Sequence, residues 1–163
     1  VLNDIGCLIP ASGLSRIRDI ADAKTIFQTR AEAEIAYRLR CATFNITREE
    51  HWQHLFAYGI REKDGRFSYT YDLSIFTAGF SKDTPLADVD LWPLWEPLTK
   101  IPVLLLRGAQ SDLLTHATAV EMRSRHPRLV LHEIENVGHA PALMEDKEKA
   151  LIHEWISAKQ ETS

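Results

Sequence analysis

The chain has 163 residues, 45% of them hydrophobic and 26% charged, with a formal net charge of −4. That length fits one domain of ordinary globular composition, and the acidic balance gives no basic surface for nucleic acid or an acidic membrane. No apolar run approaches the roughly 20 residues that span a bilayer. Cys7 and Cys41 form neither a metal spacing nor a disulfide framework. The expectation is a reduced, cytoplasmic setting with no metal and no cofactor.

In chain order, residues 1–5 read as an apolar parallel strand with Asp4 at its end and Gly6 at the turn. Cys7 follows where the chain leaves the sheet. It reads as a half-buried thiol packed like a small hydrophobe, with a thiolate paired to a histidine as the alternative. Residues 10–98 are predicted to be mostly helical. Leu14, Ile17 and Ile20 recur at three-residue spacing within 13–23, an amphipathic pattern. Residues 29–43 place Ile35, Leu39 and Ala42 along one side of a second helix. Thr47 and Glu50 have the spacing of a capping box, opening a third helix that carries Trp52, Leu55, Phe56 and Ile60. Lys63-Asp64-Gly65 is a turn signal, and residues 66–71 alternate like a short strand. One or two further helical turns are predicted over 72–80. Residues 90–99, with Trp92, Leu94, Trp95 and Leu98, lead into the next strand.

Residues 101–144 carry the chemistry. The apolar run at 102–107 suits a strand buried on both faces, as parallel strands are, and Arg107-Gly108 ends it. Asp112 follows in a polar turn, a helix is predicted over 115–125, and a second strand spans 129–134. Gly138-His139 then closes its loop. Asp112 and His139 each lie just past the carboxyl end of a strand, where open parallel sheets form ligand sites. Their side chains are expected to meet although 27 residues separate them. A final amphipathic helix over 145–159 puts Leu151, Ile152, Trp155 and Ile156 on its buried side. The other histidines (51, 54, 116, 126, 132 and 153) lack paired metal spacing and read as surface or rim residues.

The strings GAQSD and NVGHAP, at this spacing and in this strand context, resemble the C-terminal half of an α/β-hydrolase. In that family the triad runs nucleophile, acid, histidine along the chain. The opening VLNDIG and IPASGLSRI is similar to the family's sixth strand and its exit loop. The resemblance implies an α/β fold: a short parallel sheet corresponding to strands six to eight, flanked by helices. It implies one domain over 1–163, with 10–98 as a mostly helical cap inserted between the sixth and seventh strands. Asp112 matches the acid after the seventh strand and His139 the histidine after the eighth. Some members place the acid after the sixth strand instead, which makes Asp4 the alternative. As a cap, the insertion would line a substrate pocket with Trp52, Phe56, Phe76, Phe80, Trp92 and Trp95. Core packing is the plainer reading of each taken singly.

No G-x-S-x-G occurs, and none of the nine serines has that glycine framing. The nucleophile elbow and the oxyanion hole that the family needs are therefore expected outside this chain, which reads as part of a longer hydrolase and as inactive alone. The resemblance implies hydrolysis of an ester, thioester or related bond in a small-molecule substrate. An aspartate nucleophile would turn the chemistry to epoxides or haloalkanes. The other class of reading is a non-catalytic module that binds ligands or partners. If the N-terminal strand is an edge, its unpaired backbone invites a second copy, so a homodimer is the expectation.

Overall fold

A computed structural model of the chain describes residues 1–21, 25–72 and 85–160. They form two compact units, one of Val1–Ile9 with Asp90 onward and the other of Pro10–Val89.

The first unit is built on three parallel strands, β1 (Leu2–Asn3), β7 (Val103–Gly108) and β8 (Leu129–Ile134), in the order β1-β7-β8. The three strands predicted from sequence are present, parallel and adjacent in chain order. Leu2 pairs with Leu105, and β7 pairs with β8 from Val103–Leu129 to Gly108–Ile134. The first strand is shorter than expected because Asp4 turns out of the extended region with φ 55°, although its N–H still donates to the Leu106 carbonyl at 2.8 Å. All six residues of β7 are buried, which its unbroken apolar run requires. In β8, Leu129 and Ile134 are buried while Val130, His132 and Glu133 are exposed.

Two short turns, α4 (Trp92–Trp95) and a 3-10 turn at Glu96–Lys100, precede β7, and helix α5 (His116–Arg125) links β7 to β8. Thr115 caps α5, its hydroxyl accepting from the Thr118 N–H at 3.0 Å. Cys7, Trp95, Val103, Leu105, Leu114, Ala119, Met122 and Leu129 form this unit's core. Trp95 accounts for residues 90–98 clustering with the sheet rather than with the insertion: its indole is 3% exposed in that core. Helix α6 (Asp146–Gln160) departs from its predicted face. Leu151, Ile152 and Trp155 are half-buried, Ile156 is exposed, and the buried residue of its first turn is Glu148. Desolvation pushes the Glu148 carboxyl above the usual carboxylate range.

Two histidines expected at the surface are buried, His51 and His126. For His126 the reason is satisfied polarity. Its Nδ1 accepts from the Arg128 N–H at 3.1 Å, and its Nε2 lies 3.1 Å from the Leu98 carbonyl oxygen.

The second unit contains α1 (Ala11–Ala21), β3 (Ile26–Phe27), α2 (Arg30–Arg40), α3 (Glu49–Gly59), β4 (Ile60–Lys63) and β5 (Arg66–Tyr69). Two further short strands are β2 (Leu8–Ile9) and β6 (Val89–Asp90). The helices expected over 13–23, 29–43 and after Thr47 are present, and the turns expected over 72–80 lie outside the described residues; beside the helices lies an antiparallel sheet, β3-β5-β4, of which sequence foretold only β5. Ile60 was expected to extend α3. Instead it follows Gly59 into extended backbone, pairs with Tyr69 and buries its β-branched side chain. Asp64 and Gly65 both have positive φ, 53° and 70°, as a tight two-residue hairpin needs.

Phe27, Ala33, Phe56, Ile60 and Tyr69 form this unit's core. Phe27 meets Tyr69 edge-on at 5.6 Å, and Tyr37 meets Phe56 edge-on at 6.3 Å. The Arg40 guanidinium lies 4.9 Å from the Tyr69 ring centroid and 5.0 Å from that of Tyr71. Helix α2 buries Ala33, whereas Ile35 and Leu39 are exposed. The predicted Thr47 cap does not form. Helix α3 starts at Glu49 with Arg48 as its cap residue and no side-chain cap bond, and the Glu50 carboxylate is taken by the Arg48 guanidinium. The side-chain cap forms at Thr29 of α2 instead, accepting from the Glu32 N–H at 3.2 Å, while Glu32 reaches back to the Gln28 N–H at 3.0 Å.

Candidate active site

The carboxyl ends of β1, β7 and β8 converge on one cluster. It starts at Gly108, the last residue of β7. A Cβ there would lie 2.5 Å from the Gly138 carbonyl oxygen and 2.6 Å from that of Val137. Only glycine lets the loop after β8 approach the strand end this closely. The two loops are then stitched by backbone: the Ala109 N–H donates to Ile134 at 2.9 Å and the Gln110 N–H to Val137 at 2.8 Å. Ser111 closes the turn, its hydroxyl accepting from the N–H groups of Leu113 and Leu114 at 3.3 and 3.1 Å.

Arg107 holds both ends of the same turn. Its buried guanidinium donates to the carbonyls of Leu114 at 2.8 Å and Ala109 at 3.3 Å, and to the Glu133 carboxylate. Glu133 also lies 3.1 Å from His116 Nδ1. The hydrogen bond to His116, then that to Arg107, hold the Glu133 carboxyl below its ordinary range against the opposing effect of burial.

Asp4 and His139 meet in this frame. His139 Nδ1 is 2.9 Å from Asp4 Oδ2, and the Gly108 N–H donates to Asp4 Oδ1 at 3.0 Å. Each carboxylate oxygen thus has a partner, and the carboxylate is fully buried, while the imidazole keeps 26% of its surface exposed. A carboxylate only accepts, so this contact puts the proton on Nδ1. Asp112, the acid that the sequence favours, sits half-buried in the turn after β7 and is engaged rather than free. Asp4, the alternative acid, thus lies against His139 Nδ1.

Asn3 belongs to the same arrangement. Its side-chain amide donates to the Pro141 carbonyl at 3.0 Å. Sequence reasoning passed over Asn3, Arg107 and Gly108. Their signal was position alone, since each lies at or next to a strand end that carries a candidate acid.

Cys7 is 3% exposed in the core, and burial pushes its thiol up to about 11. A thiolate there is scarce, so the Cys–His alternative falls away. The pocket candidates divide between the units. Phe56 is in the core of the second, and Trp52 lies beside it on α3, donating to the Ile46 carbonyl at 3.2 Å with Arg38 5.0 Å over its ring. In the first unit Trp92 packs against the core with Arg125 4.0 Å over its ring. Trp95 is core and borders an apolar cleft of about 150 Å³ with Leu2, Ile5 and Leu94. Phe76 and Phe80 lie outside the described residues. Among the described residues there is no group of three or more His, Cys, Asp or Glu side chains placed to hold a metal, and no helix long and apolar enough to cross a membrane.

No family model matches the chain. It is 30% identical over 165 residues to the 3-hydroxybutyrate-oligomer hydrolase of Cupriavidus necator, covering 96% of this chain and 56% of that protein. Among solved structures, a Rickettsia typhi protein assigned as a hydrolase superposes with a TM-score of 0.82 at 32% identity, covering 96% of this chain and 52% of that one. An α/β hydrolase from Novosphingobium aromaticivorans superposes with a TM-score of 0.76 at 30% identity, over 94% of this chain and 54% of that one. The chain spans about half the length of the relatives it matches.

Proposed function

The chain carries the C-terminal half of an α/β-hydrolase fold, and from that premise we propose that it supplies the acid and histidine of an ester-hydrolysing site. The observation that carries the reading is the 2.9 Å contact between His139 Nδ1 and the fully buried Asp4 carboxylate at the ends of parallel strands. Asp4 fixes the imidazole tautomer and stabilises the imidazolium, and Nε2 takes the proton from a nucleophile as it attacks the ester carbonyl. The same nitrogen returns that proton to the departing alkoxide. The nucleophile comes from the other half of the fold, because no serine of this chain has an elbow's glycine framing. Asp112, in the turn next to this pair, is the second acid of the site. Residues 10–89 take the substrate-selecting part of a cap.

The Cupriavidus relative is a hydrolase of 3-hydroxybutyrate oligomers. Such oligomers are joined by ester bonds between a secondary hydroxyl and a carboxyl, which supports short aliphatic oligoesters as the substrate class.

The test joins this chain to the N-terminal half of the Cupriavidus relative and assays a 3-hydroxybutyrate dimer and an activated aryl ester. The chimera is expected to turn both over, while this chain alone does not. His139→Ala should remove about 10³-fold or more of the chimera's turnover, and Asp4→Asn about 10²–10⁴-fold, more than Asp112→Asn. Full turnover by the His139→Ala chimera would refute the reading.

A further inference from the structure

We propose that Asn3 is a positioning residue that fixes the His139 imidazole against Asp4; the inference rests on the acid–histidine reading above. His139 sits midway along a short loop that is pinned on both sides. Two residues before it, the Val137 carbonyl accepts from the Gln110 N–H at 2.8 Å; two residues after it, the Pro141 carbonyl accepts from the Asn3 side-chain amide at 3.0 Å. The first pin joins backbone to backbone and uses no side chain. The second depends on one side chain, on the residue that immediately precedes Asp4.

The two neighbours divide the work. Asn3 is paired in register with Leu106, and the Asp4 N–H continues the ladder onto the Leu106 carbonyl at 2.8 Å. Asp4 then turns with φ 55° and spends its carboxylate on His139 and Gly108. Both side chains issue from backbone anchored to β7. The loop's imidazole and its Pro141 carbonyl are therefore referenced to the same two residues, and a shift of one relative to the other is resisted. Without the Asn3 amide, the segment after His139 loses this side-chain tie to β1. The imidazole, a quarter exposed, can then swing off Asp4 into water.

The test uses the isolated chain, labelled with ¹⁵N, and reads the His139 ring nitrogens and the Nδ1 proton by NMR. In the unsubstituted chain a single tautomer protonated on Nδ1 is expected, its proton exchanging slowly with water. Asn3→Ala should speed that exchange about tenfold, the scale of one net hydrogen bond, and populate the second tautomer. Asn3→Gln, which keeps a donor, should restore part of the signature. A merely structural role would lower the melting temperature and leave tautomer and exchange unmoved, and that result overturns the proposal. Asn3→Leu, similar in volume, guards against a packing defect. If both Asn3→Ala and Asn3→Leu lose their folded spectrum, Asn3 is a folding residue and the proposal is wrong. Asp4→Asn separates the two ideas: if it leaves the tautomer unchanged, the acid–histidine reading fails. If it shifts the tautomer while the Asn3 variants do not, only the positioning role fails.

Discussion

In the sheet unit the central strand is buried along its whole length, and the groups of the candidate site hang from loops stitched together by backbone at the strand ends. In the insertion the strands are two to four residues long, the core is aromatic, and cations lie across its rings. The first arrangement specifies position through backbone approach and hydrogen-bond register, both of which tolerate little displacement. The second specifies it through ring packing and guanidinium stacking, where side chains can tilt and still make contact. The chemistry proposed for His139, which needs an imidazole held to fractions of an ångström, would sit in the first kind of region.

The largest expected effects come from emptying each core in turn. Leu105→Ala removes a fully buried side chain of β7 and should cost about 2–5 kcal/mol; Phe27→Ala should cost about 3–5 kcal/mol. Urea melts give the totals, and amide exchange shows where the loss falls. Leu105→Ala is expected to speed exchange in β1, β7 and β8, and Phe27→Ala in β3, β4 and β5. Uniform acceleration through both units by either variant would abolish the contrast between two separately built cores.

The next effect compares two glycines. A methyl at Gly108 meets the backbone carbonyls of Gly138 and Val137, which cannot move without dragging the His139 loop. Gly108→Ala should therefore cost about 1–3 kcal/mol and weaken the Asp4–His139 contact as well. At Gly59 the methyl meets the far end of the Tyr37 side chain. That side chain, unlike backbone, can shift as a whole, at the cost of its contacts with Phe56 and Tyr69, and alanine recovers up to about 1 kcal/mol of helix propensity, so Gly59→Ala should cost less than Gly108→Ala. Equal costs would mean that the insertion is as rigidly specified as the sheet.

The same contrast governs what sequence reveals. Strands β7 and β8 were legible because each is a compact apolar segment ended by a turn signal, and their parallel pairing follows from the helix between them. His139 was legible from Gly138 before it and its place after a strand. The contact between Asp4 and His139 was not, because it depends on the φ 55° turn that directs the Asp4 carboxylate to the imidazole. Asn3 was invisible for a related reason: its partner is a backbone carbonyl 138 residues away, and carbonyls leave no mark in a sequence. In the insertion, β3 and β4 escaped because two to four residues are too few to show alternation. Ile35 and Leu39 misled because apolar periodicity cannot tell a face that packs from one left exposed.

The smallest expected effect tests local capping, where sequence and structure part most simply. Thr29 and Thr47 both precede a helix in the insertion, both are exposed, and each has glutamate three positions on. Only Thr29 caps: its hydroxyl accepts from the Glu32 N–H, and Glu32 returns to the Gln28 N–H. At Thr47 the corresponding glutamate is held by Arg48. The N–H groups of His51 and Trp52 turn to the Arg48 carbonyl at 3.1 and 3.3 Å, so the helix begins one residue later than the motif implies. Thr29→Ala should therefore cost about 1 kcal/mol, as the loss of a helix cap does. Thr47→Ala should stay within about 0.5 kcal/mol, as exposed substitutions away from such features do. Urea melts of the two variants side by side decide it. If Thr47→Ala costs as much as Thr29→Ala, the hydroxyl at position 47 caps α3 in solution and the start of that helix is wrongly placed at Glu49.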